Sequence, residues 1–136
     1  MIVEELLPAH IRAKATLRGN EYAWPLLDVE EAIRAATSLT LVTVGGQVQF
    51  RLPNATCELY WLNADATTKR TGETWEDYVD RSASEVITVF RRIREEVDIV
   101  ADGVESFNCL KREAERGVDI SQWLCFVLYF AEIPKR

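Results

Sequence analysis

Residues 74–101 carry the pattern that most limits what this chain can fold into. Trp75, Val79, Ser82, Val86, Phe90, Ile93, Val97 and Val100 recur at steps of three and four, which places them on one stripe of a helix with 3.6 residues per turn. Thr74, with Asp77 three residues on, marks the start of that helix in the manner of a capping box. Continued to about Ala101 it would be about 40 Å long, enough to cross a whole sheet. A stripe of that length has to be buried against a second layer.

The second layer is readable upstream. Val48, Phe50 and Leu52 alternate with Gln47, Gln49 and Arg51, the period of a half-buried strand. Thr40 to Val44 is rich in β-branched residues, and Gly45-Gly46 between the two runs predicts a two-residue hairpin turn, where glycine accepts positive φ without steric cost. Pro53-Asn54 breaks the second run and Cys57 to Leu62 supplies a third, so a three-strand meander is expected. Asp28 followed by Glu31 predicts a capped helix over 29–38 with Val29, Ala32, Ile33 and Ala36 buried. Residues 1–23 support at most one short helix before a turn at Arg18-Gly19-Asn20-Glu21.

Beyond the long helix, Gly103 is expected to interrupt it, and Phe107, Leu110 and Ala114 mark a second amphipathic helix ending at Gly117, a left-handed cap. The run from Trp123 to Phe130 is apolar without alternation. Its aromatic and β-branched content favours a strand, while Asp119 with Gln122 would suit a helix cap. Together these elements predict one α+β domain over 1–136. A mostly antiparallel sheet of about four strands, the meander plus a C-terminal strand, would pack on the long helix and two or three shorter ones.

Charge and cysteine usage narrow the function classes. The 136 residues carry a formal net charge of −6 with a pI near 4.9, which disfavours nucleic-acid backbones and anionic membrane surfaces and favours basic partners. The acidity is diffuse: residues 1–68 hold five basic and eight acidic side chains, residues 69–136 eleven and fourteen. Cys57, Cys109 and Cys125 are an odd set without close spacing, and the start at Met1-Ile2-Val3-Glu4-Glu5 lacks the basic and apolar regions of a signal peptide, so a cytoplasmic location is expected. The strongest apolar run, Trp123 to Ala131, falls short of the roughly 20 residues that span a bilayer.

Few residues point to chemistry. His10 is the only histidine and has no partner at a recognised motif spacing, so it reads as a surface side chain. The cysteines form no C-x-x-C pair and read as small apolar residues, with neither zinc nor another cofactor expected. Arg91, Arg92 and Arg94 are balanced at once by Glu95 and Glu96 and read as a solvated helix face. Asp65, Glu73, Glu76, Asp77 and Asp80 gather around the start of the long helix, where its positive end favours acids, and they also form an acidic rim beside aromatic anchors. On the third strand the alternation puts Cys57, Leu59 and Trp61 on one face and Glu58, Tyr60 and Leu62 on the other. An open face bearing Glu58, Tyr60, Gln47, Gln49 and Arg51 would serve as a partner site.

Glu21-Tyr22-Ala23-Trp24-Pro25 followed by a helix, then Val44-Gly45-Gly46-Gln47-Val48 and Tyr60-Trp61, resembles the layout of small bacterial immunity proteins of polymorphic toxin systems, over roughly residues 20–62. The resemblance implies a cytoplasmic antidote that binds a cognate toxin and has no chemistry of its own, and the low pI suits a basic toxin. No residue roles transfer from it. The surface argument alone selects Glu58, Tyr60, Trp61, Asp65, Glu73 and Asp77 as partner-binding residues. The reading is therefore a non-catalytic protein-binding domain. The alternative is a small-molecule binder or small enzyme with a pocket between the long helix and the sheet, lined by Trp61, Trp75 and nearby carboxylates. A self-associating subunit using its long helix is a third possibility.

Overall fold

A computed structural model describes residues 2–135. Its order is a 3-10 turn at Val3–Leu6, α1 (Ala9–Arg12), β1 (Thr16–Arg18), β2 (Glu21–Trp24), a 3-10 turn at Leu26–Asp28, α2 (Val29–Ser38), β3 (Leu41–Leu52), β4 (Ala55–Asp65), α3 (Trp75–Glu96), α4 (Ile99–Ser106), α5 (Asn108–Glu115), a 3-10 turn at Ile120–Trp123 and β5 (Leu124–Glu132). The five strands form one antiparallel sheet in the order β1-β2-β5-β3-β4. The α+β class and the antiparallel sheet agree with the sequence, with one strand more than expected. The apolar run at 124–130 is a strand at the centre of the sheet, buried on both faces, which is why it shows no alternation.

One face of the sheet carries Trp24, Val48, Phe50, Leu52, Phe126 and Leu128 into a core completed by Val29, Ala32, Ile33 and Ala36 of α2 and Ala83, Val86, Phe90 and Ile93 of α3. Phe90 meets Phe126 edge to face at 5.0 Å. Thr74 caps α3 by accepting the Asp77 N–H at 3.0 Å. Asp28 makes no such side-chain bond at α2: it ends the preceding 3-10 turn at φ −105°, ψ −2°, outside the extended conformation that aims an N-cap side chain at the first turn, and Glu31 pairs with Lys14 at 2.7 Å.

Three local expectations are corrected. Gly45-Gly46 is not a turn: β3 continues through it, with a bulge at Val44 against β5, and the hairpin turn is Pro53-Asn54, where Leu52 pairs with Ala55. The glycines are needed because neighbouring strands come close. A Cβ on Gly46 would collide with the Val127 carbonyl and the Phe126 ring, and one on Gly45 with Asp65 and, at 2.8 Å, the Ala64 carbonyl. The expected meander is therefore one long hairpin. The 74–101 stripe is split between two helices, since Val97 is extended and Asp98 caps α4 by accepting the Ala101 N–H, which leaves α3 about 33 Å long. Gly103 lies inside α4, where its missing side chain admits the Phe50 ring, 2.7 Å from where a Cβ would stand. Gly117, at φ 84°, ends α5 as expected.

The N-terminal segment holds more structure than the sequence suggests. Gly19, at φ 59°, opens the two-residue turn of a β1–β2 hairpin. Trp24 is fully buried and its indole N–H donates to the Ile11 carbonyl at 2.9 Å. Glu4 is buried and accepts the Phe130 N–H of β5 at 3.1 Å. The β2–β5 pairing covers only Val127 and Phe126, so this carboxylate satisfies a strand donor beyond the end of β2.

The sheet is strongly curled. β1 and β4 are its opposite edges, yet Arg18 of β1 donates to the carbonyls of Leu52 and Ala55 and to Thr56 Oγ1. Arg51 of β3 in turn donates to Thr16 O at 2.7 Å and Glu21 O at 3.1 Å. The second face is thereby closed at this end over Ala23, Cys125 and Val127. Among the described residues no helix is long and apolar enough to cross a membrane.

Candidate functional site

The hairpin of β3 and β4 sets the geometry of the most exposed aromatic group. From the turn outward the partners are Arg51 with Thr56, Phe50 with Cys57, Gln49 with Glu58 and Val48 with Leu59; the next pair is Gln47 with Asn63. Tyr60, Trp61 and Leu62 are thus inserted on β4 against a single step of β3, an enlarged bulge. Strict alternation would have sent Trp61 inward with Cys57 and Leu59. The inserted residues instead turn both aromatics out, Tyr60 at 69% exposure and Trp61 at 43%, and return Leu62 to the core at 8%.

The two rings meet edge to face at 5.3 Å, and Trp61 stacks on Phe107 at 6.3 Å with 13° between planes. Phe107 is the extended residue between α4 and α5. The result is a three-ring surface on an edge strand whose only sheet partner is β3. Two acids lie along the same strand: Glu58, exposed and opposite Gln49, and Asp65, exposed and accepting the Asn63 amide at 2.7 Å.

The other two acids read from the sequence stand apart from this surface. Glu73 is held by Arg81 through two bonds of 2.7 and 2.8 Å and accepts the Arg70 N–H at 3.0 Å. Those Arg81 bonds first, and the Arg70 bond second, pull its pKa down to about 2. Arg81 also binds Glu85, Thr67 Oγ1 and the Thr68 carbonyl, so Glu73 belongs to a knot that fastens the 66–74 loop to α3. Asp77 is exposed on the first turn of α3 and its N–H serves the Thr74 cap. Phe107 has no signal in the sequence that sets it apart from a core position of an amphipathic helix.

The expected open face with Gln49 and Arg51 does not exist. Gln49 is fully buried and Arg51 is 6% exposed, because the β1–β2 hairpin folds across them. Their polar atoms are satisfied locally: Arg51 donates to Gln49 Oε1 at 3.0 Å as well as to β1 and β2, and Tyr129 donates its hydroxyl to Glu21. Burial is the main cause that lowers the Arg51 pKa and raises that of Tyr129. The arrangement ties the strands together.

Two surface depressions lie away from the aromatic rings. A groove of about 500 Å³ between α2 and α3 is lined by Ile33, Thr37, Ala83, Ile87 and Arg91 among others. A cleft of about 320 Å³ between α3 and the end of β4 is lined by Asp65, Thr67, Ser84, Glu85, Thr88 and Val89. Neither Trp61 nor Trp75 lines either one. Glu85 is committed to the N–H and hydroxyl of Thr67 and to Arg81. His10 is exposed on α1, and no group of three or more His, Cys, Asp or Glu among the described residues is placed to hold a metal ion. Compared with protein families, with curated proteins and with solved structures, the chain matches none.

Proposed function

We propose that this chain is a non-catalytic protein-binding domain that holds its partner at the Tyr60–Trp61 bulge, and that the partner is a basic toxin domain which it neutralises. The observation that carries the reading is the outward turn of two consecutive aromatics on an edge strand. Exposing them forgoes burial worth roughly 25 cal/mol per Å² of apolar surface, and β4 ends the sheet, an edge to which another chain can pair. Tyr and Trp are also the side chains that most often dominate binding energy at interfaces.

Glu58 and Asp65 flank the rings, and the net charge of −6 favours a basic surface by steering and by complementarity. The toxin assignment rests on that charge and on the resemblance of residues 20–62 to immunity proteins. It is tested by capturing partners of the tagged protein from source-organism lysate at low and moderate salt, then expressing the captured protein in a heterologous bacterial host. The expected result is one stoichiometric basic protein that arrests growth alone and is silenced by co-expression of this chain. A captured protein that is harmless to the host removes the toxin assignment. Capture of no stoichiometric protein at either salt contradicts the binding role itself.

A further inference from the structure

Cys57 of β4 and Cys109 of α5 are 52 positions apart in sequence, yet their sulfurs lie 3.3 Å from each other. That is closer than the roughly 3.5–4.0 Å of an ordinary apolar packing contact. Both thiols are free; Cys57 is buried and Cys109 is half-buried. Cys109 sits in the first turn of α5, immediately after the extended residue Phe107 and Asn108, so a small adjustment of that turn can bring the sulfurs together. Cys125 lies on the other face of the sheet against the Gln49 carbonyl and stays outside the pair.

We propose that Cys57 and Cys109 are a redox-active dithiol, a modification site at which a small-molecule disulfide such as oxidised glutathione drives closure to an intramolecular disulfide between β4 and α5. The accessible Cys109 thiolate attacks one sulfur of oxidised glutathione, forming a mixed disulfide and releasing one glutathione thiolate. Cys57 then gives its proton to the glutathione thiolate released in the first step as it attacks the Cys109 sulfur, expelling the second glutathione. Two protein thiols are oxidised and one glutathione disulfide is reduced to two thiols. The division of roles follows access: Cys57 is screened from solvent by the core, and burial with the adjacent Cys109 sulfur holds its thiol protonated well above the usual range. The crosslink fastens α5 to the strand that carries Trp61, one turn from the Trp61–Phe107 stack. It closes a long loop and constrains the unfolded chain accordingly.

The test treats the whole protein with oxidised glutathione and reads intact mass, peptide mapping and melting temperature. The expected product is lighter by two hydrogens, with Cys57 linked to Cys109 and Cys125 still a thiol. It melts roughly 10 °C higher and reverts with dithiothreitol. Cys57→Ser is expected to stop at a glutathione adduct on Cys109, and Cys109→Ser to form no disulfide. Three unreacted thiols, a persistent glutathione adduct on the unsubstituted protein, a disulfide through Cys125 or a crosslink between two molecules would each overturn the proposal.

Discussion

Thr43 places a hydroxyl in the core with no hydrogen-bond partner among the described residues, although its N–H is satisfied by Ser82 Oγ at 3.1 Å. An unpaired buried hydroxyl costs roughly 1–3 kcal/mol. Thr43→Val keeps the shape and the backbone bond, so it is expected to stabilise the fold by about 1 kcal/mol and raise the melting temperature by roughly 3–5 °C. Gly46 gives the opposite case. Any side chain there meets the Val127 carbonyl and the Phe126 ring, and backbone of a central strand cannot retreat as a flexible side chain would. Gly46→Ala is expected to cost about 3 kcal/mol, read as a drop in melting temperature of roughly 10 °C. If Gly46 were the turn its sequence context predicts, alanine would strain the backbone but would meet no neighbour; a shift within 2 °C, by roughly the same scaling, would contradict the packing account.

At the scale of elements, the loop between β4 and α3 depends on a single guanidinium. Arg81 holds Glu73, Glu85, Thr67 and Thr68, and this explains why a polar nine-residue connection needs no secondary structure of its own. Glu73 has its pKa lowered to about 2 from an ordinary value of 4.5. Its contribution is present above pH 4.5 and is lost as pH falls toward 2, because the unfolded chain takes up the proton first. Stability is therefore expected to decline with a measurable slope across that window in urea titrations, and Glu73→Gln to be less stable at neutral pH with a shallower slope below pH 4.5. An unchanged slope would mean that Glu73 is not ionically engaged in solution. The neighbouring helices show how far local signals reach. The ends and buried face of α2 and the Thr74 cap of α3 are readable because they depend on residues within one or two turns. The break at Val97 is masked, since Asp98 starts α4 with nearly the same apolar phase. The bulge at 60–62 is invisible because register belongs to the pairing of two strands.

For the molecule as a whole, curling of the sheet decides which surfaces exist. Arg18 and Arg51 join β1 to β3 and to the start of β4 across the intervening strands, burying Gln49 and Arg51 and half-burying Gln47, all of which read from sequence as solvated. Polarity at 47–51 was legible, but burial was not, because the covering hairpin of three- and four-residue strands carries too short a pattern to recognise. Arg51→Met removes four donated bonds, to Gln49, to Thr16 O and Oγ1 and to Glu21. The change is expected to cost about 2 kcal/mol and to speed amide exchange in 16–24 while leaving α3 protected. Uniform exchange throughout would contradict a locally tied hairpin. The same closure leaves the outer edge of β4 as the exposed side of the sheet, and that is where Tyr60 and Trp61 stand. Of the residues selected from sequence, Glu58, Tyr60, Trp61 and Asp65 share that strand, whereas Glu73 and Asp77 answer to α3.

The most direct test of the central claim is the affinity of the captured partner for the protein with and without Tyr60→Ala and Trp61→Ala, measured by titration calorimetry on folded variants of matched melting temperature. Hot-spot residues cost about 2 kcal/mol or more on truncation, so Tyr60 and Trp61 acting as the hot spot predict at least about thirty-fold weaker binding for the double variant. Glu58→Gln is expected to weaken binding only modestly and to reduce its salt dependence. Equal affinity for the double variant and the unsubstituted protein would contradict the assignment of the bulge as the binding surface.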